Sequence, residues 1–154
     1  MSTENINVLY VDDEQNNLLS FKAAFRREFN VHTAISGQEG LEIVKNEDIH
    51  IIITDQRMPG MTGVEFLQKV IPISPNPIRI LLTGYSDINA VVDAINKGEV
   101  YRYMTKPWDN EFLKTTIRQA YEVFNLRREN ERLIEELSRA NEQLEFYLRQ
   151  KLLS

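Results

Sequence analysis

The chain has no cysteine, so neither a disulfide framework nor a thiolate metal site is open to it. Glycine and proline are few and confined: all six glycines lie between Gly37 and Gly98, all five prolines between Pro59 and Pro107. Residues 108–154 contain neither, and 47 residues without a helix breaker predict one long terminal helix. Long apolar runs are missing too. None approaches the roughly 18 residues of a membrane span, and the start, Met1–Ile6, lacks the basic and apolar stretches of a secretory leader. The expectation is a cytoplasmic protein without membrane insertion. Positive charge is scarce where a phosphate backbone would need it: residues 1–110 carry 15 acidic and 10 basic side chains, and residues 111–154 carry 8 of each. An acidic body with a neutral tail argues against direct nucleic-acid binding. At 154 residues the chain is the size of one ordinary domain.

What is present is an alternation. Ile6–Val11 is a short apolar run ending in Asp12-Asp13, the pattern of a strand buried on both faces. Leu18, Leu19, Ala23, Phe25 and Phe29 then recur at helical spacing, followed by a brief strand at Val31–Ile35 and a helix at Gly37–Lys45 with Leu41 and Val44 inward. Ile49–Thr54 is a second buried strand running into Asp55, and a helix over Gly63–Val70 presents Val64, Leu67 and Val70. Pro72, Pro75 and Pro77 predict a stiff connection. Ile78–Thr83 is another apolar strand, Ile88–Asn96 a helix capped by Gly98, and Val100–Met104 a fifth strand before Lys106-Pro107. Five strands alternating with helices predict an α/β fold, a doubly wound five-stranded parallel sheet with helices on both faces.

In such sheets ligands bind beyond the carboxyl ends of the strands. Asp12 and Asp13 follow the first strand, Asp55 the third, Thr83 ends the fourth and Lys106 follows the fifth. Clustered carboxylates repel unless a cation shares their site, and a few hard oxygen ligands suit Mg²⁺ completed by water and a phosphate. A carboxylate there can attack a phosphoryl group while an ammonium and a hydroxyl stabilise the transferred oxygens. A single strand-end Asp is ordinarily a helix cap or turn former. Four strands ending in such groups together favour aspartyl-phosphate chemistry.

The order Asp12-Asp13, Asp55 with Met58-Pro59-Gly60, Thr83-Gly84, and Tyr103 three residues before Lys106-Pro107 resembles the receiver domain of two-component response regulators, over about residues 5–125. The resemblance implies a flavodoxin-like fold and a phosphoacceptor signalling domain, not an enzyme acting on other molecules. It implies that Asp55 accepts the phosphoryl group and that Asp13, Asp55 and the Arg57 backbone carbonyl ligate Mg²⁺, with Asp12 acting through water. Lys106 would bind a phosphoryl oxygen and precede a cis peptide at Pro107. Thr83 and Tyr103 resemble the family's switch pair: the hydroxyl moves toward the phosphoryl group and the ring fills the space it leaves. Arg57 and Tyr85 would border the path of hydrolytic water. His32 and His50 lie far from the carboxyl edge, so the donor would come from outside, a sensor histidine kinase or phosphotransfer protein docking on the first helix near Phe21 and Phe25. The Asp-x-Asp motif of haloacid-dehalogenase-like phosphatases is absent, since Arg57 holds its second acidic position.

The tail from Asp109 begins as a fifth receiver helix, with Phe112, Leu113, Ile117, Tyr121 and Phe124 as packing residues. A heptad frame continues beyond it: Val123, Asn130, Leu137 and Leu144 at one seam position, Leu126, Leu133, Ala140 and Tyr147 at the other. A lone seam Asn specifies register, and Glu122 and Arg127 flank the seam as an interchain pair. The frame predicts a receiver at 1–125, a coiled-coil extension at 126–154 and a parallel homodimer joined along Leu126, Asn130, Leu133, Leu137 and Leu144. Ile134 and Leu148 lie beside the seam and widen it. The alternative is a receiver fragment of a longer protein with a catalytic output: Thr83–Asp87 and Tyr101–Trp108 resemble the same stretches of receivers attached to cyclic-nucleotide phosphodiesterase or cyclase outputs.

Overall fold

The computed structural model describes residues 5–84, 88–97 and 99–154, Ala90 by its backbone alone. Five strands alternate with five helices: β1 (Asn7–Val11), α1 (Gln15–Phe25), β2 (Asn30–Ala34), α2 (Gly37–Asn46), β3 (Ile51–Asp55), α3 (Gly63–Ile73), β4 (Ile78–Thr83), α4 (Ile88–Asn96), β5 (Arg102–Thr105) and α5 (Asn110–Leu153). The strands pair in parallel in the order β2-β1-β3-β4-β5. This is the flavodoxin-like, doubly wound sheet that the alternation predicts, with the long C-terminal helix. The chain steps from β1 to β2 on one side and returns to β3 on the other, so the order reverses between β1 and β3. Asp12, Asp13 and Asp55 leave the sheet at that reversal.

Strand alternation builds two cores. Val8 and Tyr10 of β1, with Ile51, Ile53, Ile80 and Leu82, face Leu18, Phe21 and Phe25 of α1 and Leu113, Ile117 and Phe124 of α5. Leu9, Val11, Ile52 and Leu81 face Leu41 and Val44 of α2, Phe66, Leu67 and Val70 of α3 and Val91 of α4.

The structure corrects several helix faces. In α1 the buried face is Leu18, Phe21 and Phe25, whereas Leu19 is 58% exposed and Ala23 lies outside. Spacings of three and four fix a face only when its phase is known, and Leu19 sits one residue off it. Phe21 and Phe25 are both buried and supply no exposed aromatic for a docking partner. Phe112 is 53% exposed; Thr116 takes the inner place, its hydroxyl donating to the Phe112 carbonyl at 2.9 Å. Pro72 lies in the last turn of α3, not in the connection after it. There its missing N–H leaves only one carbonyl without a partner in the ladder, that of exposed Gln68. Tyr85 and the Gly98 cap lie outside the described residues.

Two glycines shape the turn from β3 to α3. Gly60 has φ +80, a conformation that side chains disfavour. At Gly63 the backbone of α3 passes so close to β3 that a Cβ would stand 2.3 Å from the Asp55 carbonyl oxygen and 2.8 Å from the Leu81 side chain. A capping box fixes the same end: the Thr62 hydroxyl accepts the Glu65 N–H at 3.2 Å and the Glu65 carboxylate accepts the Thr62 N–H at 3.1 Å. Gly63→Ala is therefore expected to cost about 2–3 kcal/mol through overpacking against backbone, read as a lowered urea midpoint.

At the opposite edge His50 is buried, with its Nδ1 accepting the Asn7 backbone N–H at 2.9 Å and its ring edge-on to Tyr121 and Phe124, 5.2 and 5.0 Å away. Burial, with Arg128 adding to it and Asp48 opposing, holds its pKa below the usual imidazole value. The unfolded chain takes up this proton near pH 6.5 and the folded chain only lower. The stability conferred by neutral His50 is complete above about pH 6.5 and is lost as pH falls from there through the folded pKa. His50→Asn keeps an acceptor without the titration, and its urea midpoint should fall less than the wild type's between pH 7.5 and 5.5; equal falls would refute the assignment.

Candidate functional site

Five side chains from four strand ends meet at the carboxyl edge. Asp12 is completely buried: its Oδ1 accepts the Glu14 N–H at 3.0 Å, and its Oδ2 accepts the Tyr10 hydroxyl at 2.7 Å and the Asn17 amide at 3.1 Å. Lys106 stands opposite. Its Nζ lies 3.1 Å from Asp55 Oδ2 and 3.7 Å from Asp12 Oδ2. The Lys106–Pro107 peptide is cis.

Asp12, Asp13 and Asp55 each present an oxygen, and these atoms lie within 4.8 Å of one another. Three hard oxygen donors so close, one of them buried, fit a divalent cation of the Mg²⁺ type. The electrostatics agree. Burial pushes the Asp55 carboxyl above the usual carboxylate range, Lys106 opposes that rise and Asp12 adds to it. One ammonium cannot balance three carboxylates.

Thr83 ends β4, buried, its hydroxyl donating to the Gly84 carbonyl at 3.1 Å. Tyr103 pairs with Leu81 and Thr105 with Thr83, so Thr83 and Tyr103 are diagonal neighbours on one face of adjacent strands. Since β5 is the sheet's edge, the Tyr103 ring is 37% exposed. It lines a hollow of about 560 Å³ with Met104, Trp108 and Phe112. Arg57 is exposed beside the acceptor loop.

Four residues that build the site are absent from the motif reading. Tyr10 and Asn17 orient Asp12. Trp108 meets the Tyr10 ring edge-on at 6.3 Å. Gln56, also buried, ties the loop after β3: its side-chain oxygen accepts the Val64 N–H at 2.9 Å, its carbonyl accepts the Gly63 N–H and its own N–H bonds to Leu82. Only Tyr10 carried a legible signal, since two residues apart on a strand it shares a face with Asp12.

Comparison with known proteins agrees with this geometry. Over its full length the chain is 36% identical to the hydrogenase transcriptional regulatory protein HoxA of Cupriavidus necator, of which it spans 32%. To the HoxA of Bradyrhizobium diazoefficiens it is 32% identical over 124 residues, 26% of that protein. The chain thus covers about a third or less of these curated relatives. Among solved structures, an adenylate cyclase from Rhodopirellula baltica superposes with a TM-score of 0.83 at 35% identity, covering 86% of this chain and 98% of that one. A response regulator receiver domain protein from Clostridium thermocellum superposes at 0.74 and 31% identity, covering 79% and 98%. With the family model for the response regulator receiver domain matching residues 8–118, from within β1 to well inside α5, the chain belongs to the response regulator receiver family.

Proposed function

We propose that the chain is a phosphorylation-controlled receiver, residues 1–125, whose helical extension, residues 126–154, carries the response. The observation that carries this reading is the Lys106 ammonium 3.1 Å from Asp55 inside a cluster of three carboxylates. A histidine kinase or phosphotransfer protein presents a phosphohistidine. An Asp55 carboxylate oxygen attacks phosphorus, the P–N bond breaks, and the imidazole leaves with its electron pair and takes a proton from water. Asp13, Asp55 and the Arg57 backbone carbonyl would hold Mg²⁺, with Asp12 acting through water. The cation supplies charge neutralisation for the transferred oxygens. Lys106 then binds a phosphoryl oxygen in place of the carboxylate oxygen it now touches.

Thr83 and Tyr103 form the switch. The Thr83 hydroxyl, now bonded to the neighbouring Gly84 carbonyl, turns toward the phosphoryl group, and the exposed Tyr103 ring moves inward beside it. Incubation with Mg²⁺ and acetyl phosphate should add the mass of one phosphoryl group to the wild type and none to Asp55→Asn. Lys106→Ala should slow the addition by roughly 10²-fold, as removal of a preorganised charge stabiliser does. Undiminished labelling of Asp55→Asn would overturn the assignment.

The output reading rests on α5. Its contacts with the body end near Phe124, and from Leu126 onward every residue is exposed, including the seam residues Leu126, Leu133, Leu137 and Leu144. Aliphatic residues at heptad spacing on a bare helix are covered by a second copy, with Asn130 facing Asn130 of the partner in parallel register. A second reading, a receiver serving a longer regulator or a cyclase, is favoured by the transcriptional regulators it partly spans and by the cyclase it superposes on. Both readings share every step at Asp55. Sedimentation should give twice the monomer mass for the chain and a single mass for a version ending at Leu126; two monomers would exclude the dimeric helix.

A further inference from the structure

Asp12 is bound on more sides than a metal-site carboxylate needs. Each carboxylate oxygen has two lone pairs. On Oδ2 both are taken, by the Tyr10 hydroxyl at 2.7 Å and the Asn17 amide at 3.1 Å. On Oδ1 one is taken by the Glu14 N–H. Lys106, 3.7 Å from Oδ2, is held beyond hydrogen-bonding distance of a filled oxygen and stays with Asp55.

The Tyr10 hydroxyl cannot swing away. Its ring is fully buried, stacked on Phe21 at 4.2 Å and 13° and met edge-on by Trp108. Asn17 reaches Asp12 from the first turn of α1, so two elements hold the same oxygen. Among the described residues Asp12 keeps one lone pair unfilled, on Oδ1, which a bound water or one cation bond can use; bidentate ligation is closed to it.

Bidentate carboxylates matter unequally to different cations. Ca²⁺ takes six to eight oxygens in flexible geometry and commonly draws both oxygens of a carboxylate, whereas Mg²⁺ requires a near-octahedral set and retains waters. We propose that Tyr10 and Asn17 are positioning residues that set the metal preference of this receiver, favouring Mg²⁺ over Ca²⁺ by closing Oδ2 of Asp12. The proposal rests on the reading of Asp12, Asp13 and Asp55 as the cation site and adds what makes that site selective.

The test is calorimetric titration of the full chain with MgCl₂ and with CaCl₂, for the wild type, Tyr10→Phe and Asn17→Ala, beside thermal melts in chelator. Tyr10→Phe removes only the hydroxyl, and a hydrogen bond to a charged group is worth about tenfold or more in a binding constant. The ratio of the Ca²⁺ to the Mg²⁺ dissociation constant should fall about tenfold in Tyr10→Phe, and in the same direction in Asn17→Ala. General loosening would weaken both cations alike and leave the ratio unmoved, and that result would overturn the proposal. Should Tyr10→Phe fail to fold, Asn17→Ala decides the matter by the same ratio. A wild type that binds neither cation would overturn the metal site and this proposal together; Mg²⁺ binding with an unmoved ratio would overturn this proposal alone.

Discussion

The contact between Lys106 and Asp55 is the interaction on which the rest of the arrangement turns. A parallel sheet whose order reverses between β1 and β3 brings the acids following both strands into one crevice, and three carboxylates there repel one another. Lys106 reaches them from β5, two strands from β3, through the loop that begins with the cis Lys106–Pro107 peptide. Burial raises the Asp55 carboxyl and the ammonium restrains that rise, which keeps a nucleophilic oxygen available in a partly enclosed site. The buried Asp12 is handled differently, by neutral donors: a phenol, an amide and a backbone N–H. Lys106 is thereby left to the carboxylate proposed to react.

The loop that positions Lys106 also launches α5. Asp109 caps the helix by accepting the Phe112 N–H, only three residues after Lys106. Leu113, Ile117, Ala120 and Phe124 then fasten its first turns to the sheet, and Lys114 and Arg118 pair with Glu28 just after α1. Beyond that the helix runs exposed, sustained by pairs along its own length such as Arg132 with Glu129 and Glu136. Exposed pairs of this kind stabilise a helix modestly. They cannot satisfy the apolar stripe, which is why the bare half of α5 argues for a covering surface.

How far the sequence alone discloses this molecule depends on whether the decisive contact is local. Asp12, Asp13, Asp55, Thr83 and Lys106 are legible because each ends a buried apolar run, and parallel topology brings all such ends to one edge. In α1 apolar residues fall at 18, 19, 21, 23, 24 and 25, and two helical phases accommodate subsets of them; only the packing against β1 selects Phe21 over Leu19. In α5 it is Thr116, not Phe112, that packs inward, because its hydroxyl is satisfied within the helix. Gln56 carries no pattern in the sequence, and its burial follows from where α3 begins. Tyr10 stands two residues before Asp12 in an apolar run, so their shared face is legible, while the hydrogen bond itself follows from the packing of the ring.

The Tyr10 donor bears on how a response would leave the site. Thr83 and Tyr103 lie on the face shared with Leu81, toward α3 and α4, while Tyr10 lies on the opposite face, toward α1 and α5. Asp12 is fixed from the second side and the proposed switch pair works on the first. Tyr103 on the edge strand lines a hollow with Met104, Trp108 and Phe112, and Tyr10 is packed between Phe21 and Trp108. In the proposed switch, the restraint on the Tyr10 side leaves rearrangement to β4 and β5, whose following loop begins α5.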